Sequence, residues 1–116
     1  MTVRELAAVL SLEVKTASAG LDRTVTGGYC CDLLSYVMAK APRGGVWITV
    51  QTHENIVAVA VLVELAAIII TEGKHPDPTT LARAEQEKIP LLLTSMSSFE
   101  VAGKLYRLLV EEGRID

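Results

Sequence analysis

The sequence predicts a single α/β domain built on a mostly parallel sheet flanked by helices. Three observations carry that expectation. From Val46 onward, short apolar runs (Val46 to Val50, Ala67 to Thr71, Leu91 to Thr94) alternate with segments of helical character. Those runs are apolar at consecutive positions rather than at every second one, the pattern of strands covered on both faces. The chain has 116 residues, half of them hydrophobic but only 4% aromatic, a length suited to one domain with an aliphatic core.

Each element has a local reason. Thr2 with Glu5 forms a capping box ahead of a helix from Val3 to about Leu10, with Leu6, Val9 and Leu10 as its apolar stripe. A strand is expected from Glu13 to Ala17, ended by Gly20. Asp22 to Gly28 then reads as a built loop: Gly27 and Gly28 admit close approach, and Thr24 and Thr26 lie opposite Val25 on an extended segment. Tyr29 to Cys31 is a brief strand, and Asp32 caps a helix to about Ala41 with Leu33, Leu34, Val37 and Met38 on one face. Pro42 and Gly44-Gly45 break the chain.

After the Val46 to Val50 strand, Thr52 is expected to cap a helix from about His53 to Leu65. Ala67 to Thr71 is the next strand, and Glu72-Gly73 turns the chain. Asp77-Pro78 places a cap and a first-turn proline before a helix reaching Lys88. Pro90 ends it, Leu91 to Thr94 is the third buried strand, and Ser97 or Ser98 caps a last helix through Glu111-Glu112, stopped by Gly113. The helices between them predict that the three apolar strands run parallel in one sheet, joined by right-handed crossovers.

Composition excludes several functions. The net charge is −3, and the eleven Lys and Arg residues are scattered, whereas a phosphate backbone needs them clustered. No nucleic-acid partner is expected. The longest apolar stretch, Ile56 to Ile70, is broken by Glu64 and falls short of the ~20 residues of a spanning helix, so no membrane association is expected. Met1 to Leu10 carries Arg4 and Glu5 instead of an apolar signal core, which points to a cytoplasmic protein. Cys30 and Cys31 are adjacent and do not form a Cys-x-x-Cys motif, so they read as reduced thiols in or near the core.

Candidate sites follow from the expected sheet. Ligands of open parallel sheets bind beyond the carboxyl ends of the strands, where hydroxyls and helix N-termini favour anions. There the sequence places Thr26, Gly27 and Gly28, then Thr52, His53 and Asn55, then Thr71 to Gly73, then Thr94 and Ser95. The expected anion site comprises Arg23, Thr24, Thr26, Gly27, Gly28, Thr52, His53 and Asn55, with Arg23 as a clamp. The competing reading makes Thr52, Ser97 and Asp77 ordinary caps and the glycines ordinary turns. His53, Glu72, His75 and Asp77 match no metal-ligand spacing, so neither metal nor cofactor is expected. No catalytic residue is assigned; the alternative is a small enzyme in the same cleft with His53 as acid/base.

The His53 to Leu65 helix is apolar all round. It is either a partner surface or the middle helix of its own layer. A homodimer is expected, through this helix or the Asp32 to Ala41 helix.

Two blocks resemble a known family. Asp22-Arg23-Thr24-Val25-Thr26-Gly27-Gly28-Tyr29, followed by Asp32-Leu33-Leu34-Ser35 and Val37-Met38, is similar to the signature of the DRTGG domain. Gln51 to Ala60 resembles that family's second block, so the likeness runs from about Leu12 to Thr94. In that family the domain is an α/β accessory to phosphotransacetylases and CBS-domain pyrophosphatases, and a related fold forms the N-terminal part of HPr kinases. The resemblance implies a non-catalytic regulatory or dimerisation module. Its implied partners are a nucleotide or phosphorylated metabolite, or a partner kinase or regulatory protein. The Gly-x-x-x-x-Gly-Lys-Ser/Thr phosphate loop is missing, so kinase chemistry is not implied.

Overall fold

The computed structural model describes residues 1–16 and 18–115. In chain order the elements are α1 (Val3–Val9), β1 (Glu13–Val14), a 3-10 turn (Ser18–Gly20), β2 (Gly27–Cys30), α2 (Leu34–Lys40), β3 (Gly45–Thr49), α3 (Asn55–Val63), β4 (Ala67–Ile70), α4 (Pro78–Glu87), β5 (Leu91–Leu93) and α5 (Ser98–Glu111). The five strands form one sheet in the order β1-β5-β4-β3-β2. Strands β2 to β5 are all parallel, with Val46 opposite Ala67 and Ile68 opposite Leu91, whereas β1 pairs antiparallel with β5. The fold is the expected α/β class.

Sheet order explains where the helices lie. From β2 to β5 the chain steps across the sheet in one direction, and successive right-handed crossovers then leave α2, α3 and α4 on the same face. Their buried side chains, among them Val37, Ile56, Val57, Ala60 and Ala84, meet Trp47, Ile68, Ile70, Leu91 and Leu93. On the other face, Val3 and Leu6 of α1 with Val101, Leu105 and Leu109 of α5 cover Val46, Ile48, Ala67, Ile69 and Leu92. Alternate strand residues thus feed two cores, and every residue of β3, β4 and β5 is buried. That is the physical content of the unbroken apolar runs.

The apolar helix resolves simply. Helix α3 packs between α2 and α4, so its flanks are covered within its own layer. Among its large residues Val61 and Leu62 are exposed, at 41% and 71%, and Val63 is half-buried.

Several local expectations hold. The Thr2–Glu5 capping box forms in both directions, Pro78 occupies the first turn of α4, and Ser97 caps α5 through the Glu100 N–H. Others need correction. Asp32 caps no helix; Leu33 occupies that position, because the Asp32 carboxylate is drawn to Thr49 and Val50 across the end of β3. Thr52 is not a cap either, since α3 starts at Asn55 after Glu54. Strand β1 covers only Glu13–Val14, and Ala17, its expected last residue, lies outside the described residues. Strand β2 starts at Gly27, so both glycines sit in a strand instead of a loop.

Candidate functional site

The Asp22 to Gly28 run is largely consumed by internal contacts. Asp22 pairs with Arg4 at 3.2 Å on the surface. The Arg23 carbonyl accepts from the Val3 N–H at 3.0 Å, Thr24 bridges Thr2, and the Val25 N–H donates to the Met1 carbonyl at 2.8 Å. Together these sew the first residues of the chain to the run, with Val25 fully buried. Thr26 closes the turn before β3: its hydroxyl donates to the Arg43 carbonyl at 2.8 Å and its N–H to the Gly44 carbonyl at 3.0 Å.

The glycine pair makes room for protein. A Cβ on Gly28 would lie 2.7 Å from Leu105 Cδ2, and one on Gly27 would lie 3.2 Å from Pro42 Cγ. Helix α5 and the β3 entry turn can therefore press onto β2 only because both side chains are missing. Gly44 has a different reason. Its φ of 76° is left-handed, and a Cβ there would meet the Thr26 hydroxyl at 2.6 Å.

Arg23 departs from this pattern. It lines a cavity of about 580 Å3 at the amino edge of the parallel strands, together with Thr24, Thr26, Arg43 and Gly44. Ala60, Val61, Leu65, Ala66 and Ile89 give the cavity an apolar wall, and Glu64 and Glu87 add two carboxylates. Arg43 is engaged: its Nε and Nη2 lie 2.7 and 3.1 Å from the two Glu64 oxygens, a bidentate pair. The Arg23 guanidinium makes no hydrogen bond or ion pair among the described residues. The size suits a small molecule.

At the carboxyl edge several polar groups are already partnered. The Thr52 carbonyl accepts from the Thr80 hydroxyl at 2.7 Å and from the Asp77 N–H at 3.1 Å, tying the start of α4 to the loop after β3. His53 is exposed, and its Nδ1 accepts the Asn55 N–H at 3.1 Å, so the ring caps the first turn of α3. The Asp32 carboxylate accepts from the Thr49 hydroxyl at 2.8 Å and from the Val50 N–H at 2.9 Å. Glu72, held at a left-handed φ of 61°, accepts the Ser98 N–H at 3.0 Å. The start of α5 is thus occupied by the chain's own carboxylate, the anion that a helix N-terminus favours.

A smaller hollow of about 380 Å3 lies beside Gly73, Lys74, His75, Thr94 and Ser95. Among the described residues, no three His, Cys, Asp or Glu side chains gather as a metal site would require. Cys30 and Cys31 are free thiols. Partial desolvation, with smaller contributions from Asp32 and Cys31, pushes the Cys30 thiol above its usual range.

The eight residues expected to share one anion site are therefore divided. Arg23, Thr24, Thr26, Gly27 and Gly28 lie at or near the amino edge, and Thr52, His53 and Asn55 at the carboxyl edge. Roughly 13 Å of sheet separates the two, at about 3.3 Å per residue. The cause is the direction of β1. Because that strand runs antiparallel to β5, the chain that follows it emerges at the amino edge of the others. Arg43, Glu64 and Glu87, which complete the cavity, were not expected; the only trace of them in the sequence is the Pro42-Arg43-Gly44 break and the single charge that interrupts the apolar helix.

Comparison with known proteins gives a consistent picture. No curated protein sequence matches the chain. Among solved structures, it is similar to the crystal structure of the CBS and DRTGG domains from the regulatory region of Clostridium perfringens pyrophosphatase, complexed with the activator diadenosine tetraphosphate. The TM-score is 0.64 at 16% identity, over 90% of this chain and 45% of that one, so the chain spans less than half of that structure's length. The likeness is one of fold. The family model of the DRTGG domain matches residues 5–108, nearly the whole chain, and the protein belongs to the DRTGG domain family.

Proposed function

We propose that this domain is a non-catalytic regulatory module that holds a small anionic ligand, a nucleotide or another phosphorylated metabolite, in its amino-edge cavity. One observation carries the proposal: the Arg23 guanidinium has no hydrogen-bond or ion-pair partner among the described residues while it lines the amino-edge cavity. Arg23 and Thr24 are the proposed contacts; Thr26 lines the cavity but spends its hydroxyl and N–H on the Arg43 and Gly44 carbonyls, and Gly27 and Gly28 lie outside the lining. Thr52, His53 and Asn55 play no part in this site, being at the opposite edge. The activator bound by the pyrophosphatase regulatory region is diadenosine tetraphosphate, which supports a nucleoside body for the ligand and not a phosphate count. His53 lines none of the cavities described and uses Nδ1 as a cap, so the reading of it as an acid/base gains no support.

A thermal-shift screen of nucleotides, acyl phosphates and divalent metals tests the proposal, because a ligand that binds only the folded state raises Tm. Stabilisation by at least one anion, lost in Arg23→Ala, is the expected result. No stabilisation by any of them would end it.

We also propose that the module works as a homodimer. Leu33, Tyr36 and Met38 along α2 are 46 to 57% exposed, which is unusual apolar exposure for one short segment. Light scattering should give about twice the 12.5 kDa chain mass. A monomer at high micromolar concentration would remove the dimer without affecting the ligand proposal.

A further inference from the structure

We infer that the amino-edge cavity selects a ligand with a single phosphate or carboxylate on an apolar body and rejects polyphosphates, and that Glu64 sets this preference by occupying Arg43. The inference rests on the ligand reading above and adds the class of ligand.

Charge is the first argument. The two arginines and two glutamates lining the cavity cancel, which leaves no surplus of positive charge for a chain of phosphates. Nor does the fold supply any. Helices α3 and α4 both end at this edge, and a helix C-terminus carries about half a negative charge. The carbonyls of both ends are tied into left-handed caps at Glu64 and Lys88, and Lys88 lies outside the lining. A single anionic group can meet Arg23. A second would face Glu64, Glu87 and the two helix ends.

Position is the second argument. Glu64 follows the last turn of α3 at a φ of 62°, and its carbonyl accepts the Gly44 N–H at 2.9 Å. That bond fixes the residue beside the β3 entry turn, from which its carboxylate grips Arg43 with both oxygens. Arg43 is thus engaged by a residue whose carbonyl is hydrogen-bonded to the same turn. The apolar wall of Ala60, Val61, Leu65, Ala66 and Ile89 offers the remaining surface to an uncharged body such as a nucleobase.

Isothermal titration of the full chain with AMP and with ATP, free of divalent metal, separates the possibilities. AMP is expected to bind more tightly than ATP. Glu64→Gln keeps the backbone and frees Arg43, and should raise ATP affinity about fivefold at low salt, with the gain shrinking as salt screens these exposed charges. Glu64→Gln combined with Arg43→Gln should abolish the gain, which a change in folding alone would not do. ATP binding more tightly than AMP to the unmodified chain, in an Arg23-dependent way, would overturn the charge selection and leave the ligand reading standing. An ATP affinity unchanged by Glu64→Gln would overturn the role of Glu64. Binding of neither nucleotide to either protein would overturn this inference; whether the broader reading falls with it is decided by the thermal-shift screen.

Discussion

Gly28→Ala distinguishes a glycine kept for packing from one kept for close approach to a ligand. The new Cβ would lie 2.7 Å from Leu105 Cδ2 and 3.6 Å from both Leu105 Cγ and the Val46 carbonyl oxygen. Leu105 is 2% exposed, so its methyl must turn within the core. A hollow of about 200 Å3 beside Gly28, Ile48 and Leu109 offers some room. That places the clash near the lower half of the usual overpacking range, about 1–2 kcal/mol. Alanine recovers roughly 0.5–1 kcal/mol over glycine in a strand. The net loss is about 1 kcal/mol, or ~4 °C in Tm for a domain of this size. Leu105→Ala supplies the control. Alone it should cost about 2–5 kcal/mol, but in its background Gly28→Ala should become neutral or stabilising, because the added methyl fills vacated space. Urea denaturation of the four proteins gives the coupling energy, expected at about 1 kcal/mol or more. If Gly28→Ala is neutral in the unmodified chain, shows no coupling to Leu105, and abolishes ligand binding, the packing account is wrong and the glycine serves a ligand.

Two further outcomes follow from the carboxyl edge and the first helix. Asp32→Ala removes the acceptor of the fully buried Thr49 hydroxyl and of the Val50 N–H, and should lower stability by about 2 kcal/mol, whereas Asp32→Asn keeps an acceptor oxygen and should lose less; equal losses would show that the two bonds are not the cause. The Thr2 backbone and side-chain bonds, in that order, hold the Glu5 carboxyl below the usual carboxylate range. Its contribution is therefore full above the unfolded value and is lost as pH falls through the lower folded value, so the stability of Glu5→Gln should fall less steeply on acidification than that of the unmodified chain.

Much of the fold was legible because its signals are dense and local. The buried strands announce themselves by unbroken Val, Ile and Leu, and the caps at Thr2, Pro78 and Ser97 depend only on near neighbours. What the sequence hid depends on distant partners. Asp32 carries a good cap side chain, yet the Thr49 hydroxyl and Val50 N–H compete for it across the sheet and win. Gly27-Gly28 reads as a loop until Leu105, far along the chain, is seen to need the space. The candidate site was legible only in part, through Arg23, Thr24 and Thr26. Placing it required the direction of β1, a two-residue strand that periodicity cannot orient. Glu64 and Arg43 meet across 21 positions, and no local pattern pairs them.

The central claim is that a ligand enters at the amino edge, beside Arg23, and not at the strand carboxyl ends. Amide chemical-shift mapping by NMR during titration with AMP tests it most directly, since the method reports both edges at once in a chain of 12.5 kDa. The account predicts that the largest changes fall on Arg23, Thr24, Thr26, Gly44 and the Leu65-Ala66 pair, all around the cavity. Changes concentrated on Thr52, His53, Asn55 and the Gly73 to Ser95 hollow, with the amino edge unmoved, would contradict it.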